Sequence, residues 1–136
     1  MKALDTNVII RFLVQDDEAQ SKVVFKLLKS SEERKECFFI PILVVLETIW
    51  VLESAYDVER SDIIKSISDL ILMPVFEFEK QSAIRDFLIS SENTTHDLAD
   101  ILIAHSAHNS ACVTTLTFDK NASKFKLFAR LDINMS

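Results

Sequence analysis

The 136-residue chain contains no glycine. Average usage of about 7% would place roughly nine or ten in a chain this long. Their absence excludes a Gly-rich dinucleotide turn, a Walker A loop and an Asn-Gly hairpin. Whatever this chain does, it does not cradle a phosphate with glycine backbone. Its two prolines and the lack of any Ser/Gly-rich stretch also leave no linker or disordered tail to find. Residues 1–136 are therefore expected to form a single domain, long enough to bury roughly 68% of the unfolded surface without disulfides.

The remaining composition narrows the class further. Cys37 and Cys112 fit neither a CxxC pattern nor a zinc spacing, which favours a reducing compartment. The apolar stretch Phe38–Leu46 contains Pro41 and is well short of the ~17–20 residues a membrane span needs. Asp5 and Arg11 interrupt any signal-peptide core behind Lys2, so a cytoplasmic location without membrane contact is expected. Twenty-one acids against fifteen bases give a net charge of −6, unfavourable for a general nucleic-acid binder. Acids gathered around metal ions reverse that sign locally.

Hydrophobic periodicity predicts strands alternating with helices. A short strand ends at Asp5, and a short helix starts near Val8. A longer helix over 18–31 carries Val23, Val24, Leu27 and Leu28. CFFI at 37–40 reads as a buried strand, and Pro41 opens a helix running to about Tyr56. Further helices are expected over 60–72 and 79–89, with VFEF between them as an extended piece. Thr94 or Thr95 can cap a helix beginning near Asp97, which Asn109 can close. ACVTTLTF then runs extended to Asp119, and KLFARL offers a last edge strand. Such alternation predicts an α/β fold with a parallel sheet and helices on both faces. Sites in these folds form at the carboxyl ends of strands, which puts Asp5 and Asp119 on one rim.

The acids have ordinary readings when taken singly. Asp5 can be an N-cap, and Asp119 after Thr117-Phe118 can be a turn residue. Glu47 stands in VVLETIW, where an unpaired charge is costly; the alternative is a narrow polar stripe shared with Thr48. Asp97 and Asp100 lie on one helix face, Asp97 in the first turn and Asp100 one turn in, between apolar neighbours. A first-turn acid gains about 0.3–1 kcal/mol from the helix dipole, which accounts for Asp97 better than for Asp100. Together, carboxylates converging on one cleft repel and raise each other's pKa values. Divalent cations such as Mg²⁺ or Mn²⁺ resolve that repulsion, activate a water and stabilise the departing oxygen of a phosphodiester. No Ser elbow and no Cys with an evident base competes as nucleophile.

Four segments carry a resemblance: LDTNVIIR at 4–11, VVLETIWVL at 44–52, DLADILIA at 97–104 and TFDK at 117–120. Their order and separations resemble the PIN-domain family, and most closely its VapC-like toxins, over nearly the whole chain. The resemblance implies a three-layer α/β/α domain with a short, mainly parallel central sheet. It also implies Mg²⁺-dependent endoribonuclease activity (Mn²⁺ being the alternative metal), an inhibitory antitoxin protein and a homodimer. Carried over, Asp5, Glu47, Asp100 and Asp119 match the catalytic acids, with Asp5, Asp100 and Asp119 as metal ligands. Asp97 matches an additional acid of one branch, and Asn7 and Thr117 match polar positions lining the site. The family often has glycine where Asn109-Ser110 stand here. The alternative reading is a catalytically idle PIN-like module that grips a partner protein.

Other residues add weaker expectations. Arg11, Lys120 and Lys124 fall near the rim and can hold RNA phosphates, or simply be solvated. His96, His105 and His108 lack the further ligands a zinc site needs. Trp50, Leu52 and Tyr56 read as core or dimer contacts rather than base-stacking residues. Helix faces within 42–72 are the candidates for the dimer. A groove between the helix at Val8–Val14 and the helix carrying Glu47 is the candidate antitoxin surface.

Overall fold

Three helices start on an aspartate. Asp5 precedes α1 (Thr6–Leu13), Asp17 precedes α2 (Glu18–Glu33), and Asp97 precedes the helix at Leu98–Asn109. In each, Oδ1 accepts the backbone N–H three residues on: Val8 at 3.3 Å, Gln20 at 3.0 Å and Asp100 at 3.0 Å. Such a cap satisfies an orphan donor of the first turn and is worth about 1 kcal/mol. The next helix, α3 (Ile42–Ser54), follows Pro41, which has no side-chain donor or acceptor to offer. Glu79 supplies the cap instead, its Oε1 accepting the Ile42 N–H at 2.8 Å.

The structure is a computed structural model and describes residues 1–134. It divides into two compact units, Met1–Gln81 and a second from Ser82 onward. In the first, β1 (Lys2–Ala3), β2 (Phe38–Ile40) and β3 (Phe76–Phe78) pair in parallel in the order β1-β2-β3, with Phe38 opposite both Lys2 and Phe76. Parallel neighbours need crossovers. Here α1 and α2 connect β1 to β2, while α3 and α4 (Arg60–Ile71) connect β2 to β3. Helix α1 packs against both α2 and α3. Ile10, Ile40, Ile49, Ile63 and Ile67 are the most deeply buried large aliphatic side chains of this unit.

The second unit contains α5 (Gln81–Glu92), α6 (Leu98–Asn109), β4 (Thr115–Thr117), a 3-10 turn at Ala122–Lys124, and β5 (Phe128–Arg130). Strands β4 and β5 are parallel, with Thr115 opposite Phe128. Ile84, Phe87, Leu98, Ile101 and Leu102 are buried. Short parallel sheets flanked by helices are the PIN-like α/β/α class expected from the sequence. Among the described residues, no helix is long and apolar enough to cross a membrane.

Without glycine, the left-handed backbone positions fall to Lys35, Asp57, Lys80 and Ala111, at φ 57°, 52°, 53° and 68°. Two of them close helices in the same way. After α2, Glu36 N–H donates to the Ser31 carbonyl at 2.9 Å and Lys35 N–H to Glu32 at 3.1 Å. After α6, Cys112 N–H donates to Ala107 at 3.1 Å and Ala111 N–H to His108 at 3.0 Å. This paired closure requires the left-handed residue directly after the C-cap. The C-cap is Ser110, so the strained position is Ala111 and not the Asn109 expected from the sequence. Left-handed alanine costs about 1–2 kcal/mol, part of which glycine returns through unfolded-chain entropy. Ala111→Gly is expected to stabilise the protein by about 0.5–1 kcal/mol. Urea unfolding checks this: the midpoint rises with the slope unchanged, and a lower midpoint contradicts it.

Candidate active site

In the first unit, the chain turns out of β1 into α1 at Asp5. Asp5 is exposed, with Oδ1 spent on the Val8 N–H, so its second oxygen is available to another partner. Asn7, the second residue of α1, is also exposed. Glu47 sits in the second turn of α3 and is exposed, not enclosed by its apolar sequence neighbours. Nor does it share a polar stripe with Thr48, because successive helix residues are about 100° apart. Thr48 points inward among Ile9, Ile40, Val45, Ile67 and Phe78, and its Oγ1 finds no hydrogen-bond partner among the described residues.

Arg11 is already engaged. Its Nε donates to Gln20 Oε1 at 2.7 Å, and the same guanidinium reaches Asp16 Oδ1 at 3.1 Å and Tyr56 Oη at 3.2 Å. The Tyr56 hydroxyl donates onward to Asp16 Oδ2 at 2.8 Å. This network fastens α1 to α2 and to the segment following α3. Tyr56 is thereby explained as part of that tether, a role its position alone did not reveal.

The acids of the second unit occupy three different environments. Asp97 is the N-cap of α6 rather than a first-turn residue, and it is exposed. Asp100 is in the first turn, half-buried, and caps nothing. Burial raises the Asp100 pKa above the usual carboxylate value; the charges of Asp97 and Asp119 push it the same way, and His96 opposes them. Asp119 follows β4 in a tight polar turn. Its Oδ1 accepts the N–H groups of Asn121 at 2.8 Å and Ala122 at 3.0 Å, while its own N–H donates to Thr117 Oγ1 at 3.0 Å. Thr117 thus fixes the turn that holds Asp119. Lys120 beside it is exposed.

The histidines differ as well. His105 is buried, with Nε2 2.7 Å from Ser90 Oγ and Nδ1 unpartnered among the described residues. Burial lowers its pKa and keeps the ring neutral. His96 packs edge-on to Phe125 with ring centroids 5.5 Å apart, and His108 is exposed.

In the second unit, then, Asp97, Asp100 and Asp119 share one electrostatic neighbourhood. In the first, Asp5 and Glu47 stand on helices that pack together. Among the described residues, no group of three or more His, Cys, Asp or Glu is drawn tightly enough to hold a metal ion. The donor chemistry nevertheless suits a hard cation: carboxylate oxygens, one of them on a half-buried acid whose acidic neighbours disfavour its charge.

The PIN domain family model matches residues 2–129, and the chain belongs to the PIN domain family. It is similar to a protein of Aquifex aeolicus (strain VF5) described as VapC ribonuclease, at 29% identity over 86 residues. That alignment spans 63% of this chain and 63% of the relative, so the chain matches less than two thirds of the relative's length. No solved structure matches the chain.

The raised pKa of Asp100 makes a stability prediction. A carboxyl with a folded-state pKa above its unfolded value contributes stability below the unfolded pKa, and that contribution is lost as pH rises through the folded value. Removing the charge therefore helps only at higher pH. In metal-free buffer, Asp100→Asn is expected to raise the thermal midpoint at pH 7, with the gain vanishing below about pH 4. Asp97→Asn leaves the cap intact, since Asn caps as well as Asp, but it removes one of the charges opposing Asp100, so a smaller gain of the same sign is expected. A pH-independent response of Asp100→Asn contradicts the assignment.

Proposed function

We propose that the protein is a divalent-metal-dependent endoribonuclease of the cytoplasm and the toxin of a toxin–antitoxin pair. The observation that carries this reading is Asp100: half-buried, uncapped and set against two further acids, in a chain of the PIN domain family. The family match runs through both units, which supports reading residues 1–136 as a single PIN-like domain.

In this reading Asp5, Asp100 and Asp119 hold Mg²⁺, or Mn²⁺ in its place, and Glu47 completes the catalytic acids. When bound, such a cation supplies an activated water and stabilises the departing oxygen of the phosphodiester. Asp97 positions Asp100 by capping the first turn of α6, and Thr117 positions Asp119. Asn7 adds a polar group beside Asp5. Lys120 is the better candidate for an RNA phosphate, because the Arg11 guanidinium is occupied by Asp16, Gln20 and Tyr56.

The inhibitory partner is an antitoxin protein whose peptide lays apolar side chains on α1 and sends a cation, in the best case Arg, towards the carboxylates. A groove of about 410 Å³ between α1 and α2 supports this. It is lined by Val8, Ala19, Val23 and Val24, with the Asn7 and Gln20 amides beside them. The groove expected from the sequence, between α1 and the Glu47 helix, is the second candidate surface. A homodimer belongs to the same family reading.

Purified protein is expected to cleave RNA with Mg²⁺ or Mn²⁺ and to lose that activity in EDTA. Asp5→Asn and Asp100→Asn should remove most of the rate, while Asp97→Asn should cost about 10-fold, or ~1.4 kcal/mol. Cleavage that survives EDTA or Asp5→Asn overturns the metal-dependent proposal, whereas no cleavage with either metal leaves the idle binding module. An enzyme killed by Asp97→Asn but spared by Asp100→Asn overturns the division of roles. Copurification with the product of an adjacent gene is the expected sign of the antitoxin; a free, non-toxic monomer in the native cell counts against it.

A further inference from the structure

The segment that follows Asp119 carries charge of one sign. From Lys120 to Leu131 the chain has four cations, Lys120, Lys124, Lys126 and Arg130, and no Asp or Glu, although the whole chain carries −6. All four are exposed, and none forms an ion pair among the described residues. Unpaired cations of one sign on one short segment attract an anion.

Strand register brings one of them to the candidate site. Thr117 stands opposite Arg130 in the parallel pair β4–β5, and the Leu131 N–H donates to the Thr117 carbonyl at 2.6 Å. Paired residues of neighbouring strands put their side chains on the same face of a sheet. Arg130 therefore emerges beside Thr117, whose Oγ1 accepts the Asp119 N–H. Lys120 follows Asp119 directly. Phe118 precedes it, 65% exposed and in no ring contact among the described residues. A candidate catalytic acid is thus bracketed by a bare aromatic ring and two unpaired cations of its own unit.

The chemistry of this edge separates its possible occupants. A two-fold contact between copies centred here sets the cations of one chain against those of the other. An acidic peptide supplies carboxylates but no flat face repeated between them. A nucleic-acid strand alternates phosphates with bases, and a base stacks on an aromatic ring without regard to sequence. Its backbone charge is met by Lys120 and Arg130 themselves, with no bound ion invoked. In a duplex the base faces are covered by their neighbours, so the ring selects a single strand.

We infer that Phe118, Lys120 and Arg130 form an edge that grips single-stranded RNA, the two cations on phosphates and Phe118 against a base. This rests on the nuclease reading above and adds Phe118 and Arg130 to it as positioning residues. Sequence reasoning missed Arg130 because only strand register joins it to Thr117.

Anisotropy of a labelled single-stranded oligoribonucleotide, titrated with full-length protein in EDTA at low salt, reads binding without cleavage. Saturable binding is expected, with weaker binding of the same strand as a duplex. Arg130→Gln and Lys120→Gln should each weaken it several-fold and lower the slope of log affinity against log salt by about 0.7. Lys65→Gln, which removes the same charge from α4, should change neither. Phe118→Ala should weaken binding about 10-fold with the slope unchanged, and Phe118→Tyr should restore it. In Mg²⁺ these losses should appear in KM and not in kcat. No binding in EDTA, a duplex bound as tightly as the single strand, or an Arg130→Gln effect no larger than that of Lys65→Gln overturns the edge. Polyglutamate bound as tightly as the RNA overturns it in favour of an acidic protein partner. Cleavage by the wild type with unchanged KM in the Phe118, Lys120 and Arg130 variants overturns the edge and leaves the nuclease reading standing. If the wild type binds as expected but cleaves nothing with Mg²⁺ or Mn²⁺, the nuclease reading falls and the RNA-binding edge stands.

Discussion

Asp100 is the residue on which the functional account turns. Its carboxylate is partly withdrawn from water, and both acids near it, Asp97 and Asp119, oppose its ionisation. His96 pulls the other way but is the weakest of the influences on it. A protein tolerates such a cost where something bound repays it. The simplest repayment is a positive ion, and a divalent one matches oxygen donors best.

The other acids show how one side chain serves fold and chemistry together. Asp5, Asp97 and Asp119 each commit Oδ1 to backbone N–H groups, which fixes the head of α1, the head of α6 and the turn after β4. A carboxylate has a second oxygen, so a capping role does not exhaust it. Capping also restricts the rotamer, which presents the remaining oxygen in a fixed direction. The choice between cap and ligand, posed residue by residue from the sequence, is therefore a false one for these aspartates.

Much of the fold was legible because its helices carry clear apolar stripes and aspartate caps; α2, α4 and the short strands fall close to where periodicity puts them. Glu47 was harder to read, because α3 is apolar on nearly every face. Sequence neighbours then cannot say which side is outside, and Leu43 and Trp50 prove to be exposed alongside it. The closure of α6 was misplaced by two residues because Asn109 is the better left-handed residue by propensity. The hydrogen-bond pattern after the C-cap nonetheless imposes that conformation on Ala111. The Arg11 network was invisible, since it joins residues 45 positions apart through a tyrosine hydroxyl. Of the candidate site, the identities of the acids were readable. Their separate environments were not, because these depend on burial and on which backbone donors each oxygen meets.

The central claim is that the acids around Asp100 accept a divalent cation as their counter-charge. Calorimetric titration of Mn²⁺ into metal-free protein at two pH values, with Asp100→Asn in parallel, tests it most directly. Expected is saturable binding to the wild type, with more protons released at the lower pH as the carboxyl gives up its hydrogen to the metal, and little or no binding to the variant. Equal binding by both proteins, or none by either, contradicts it.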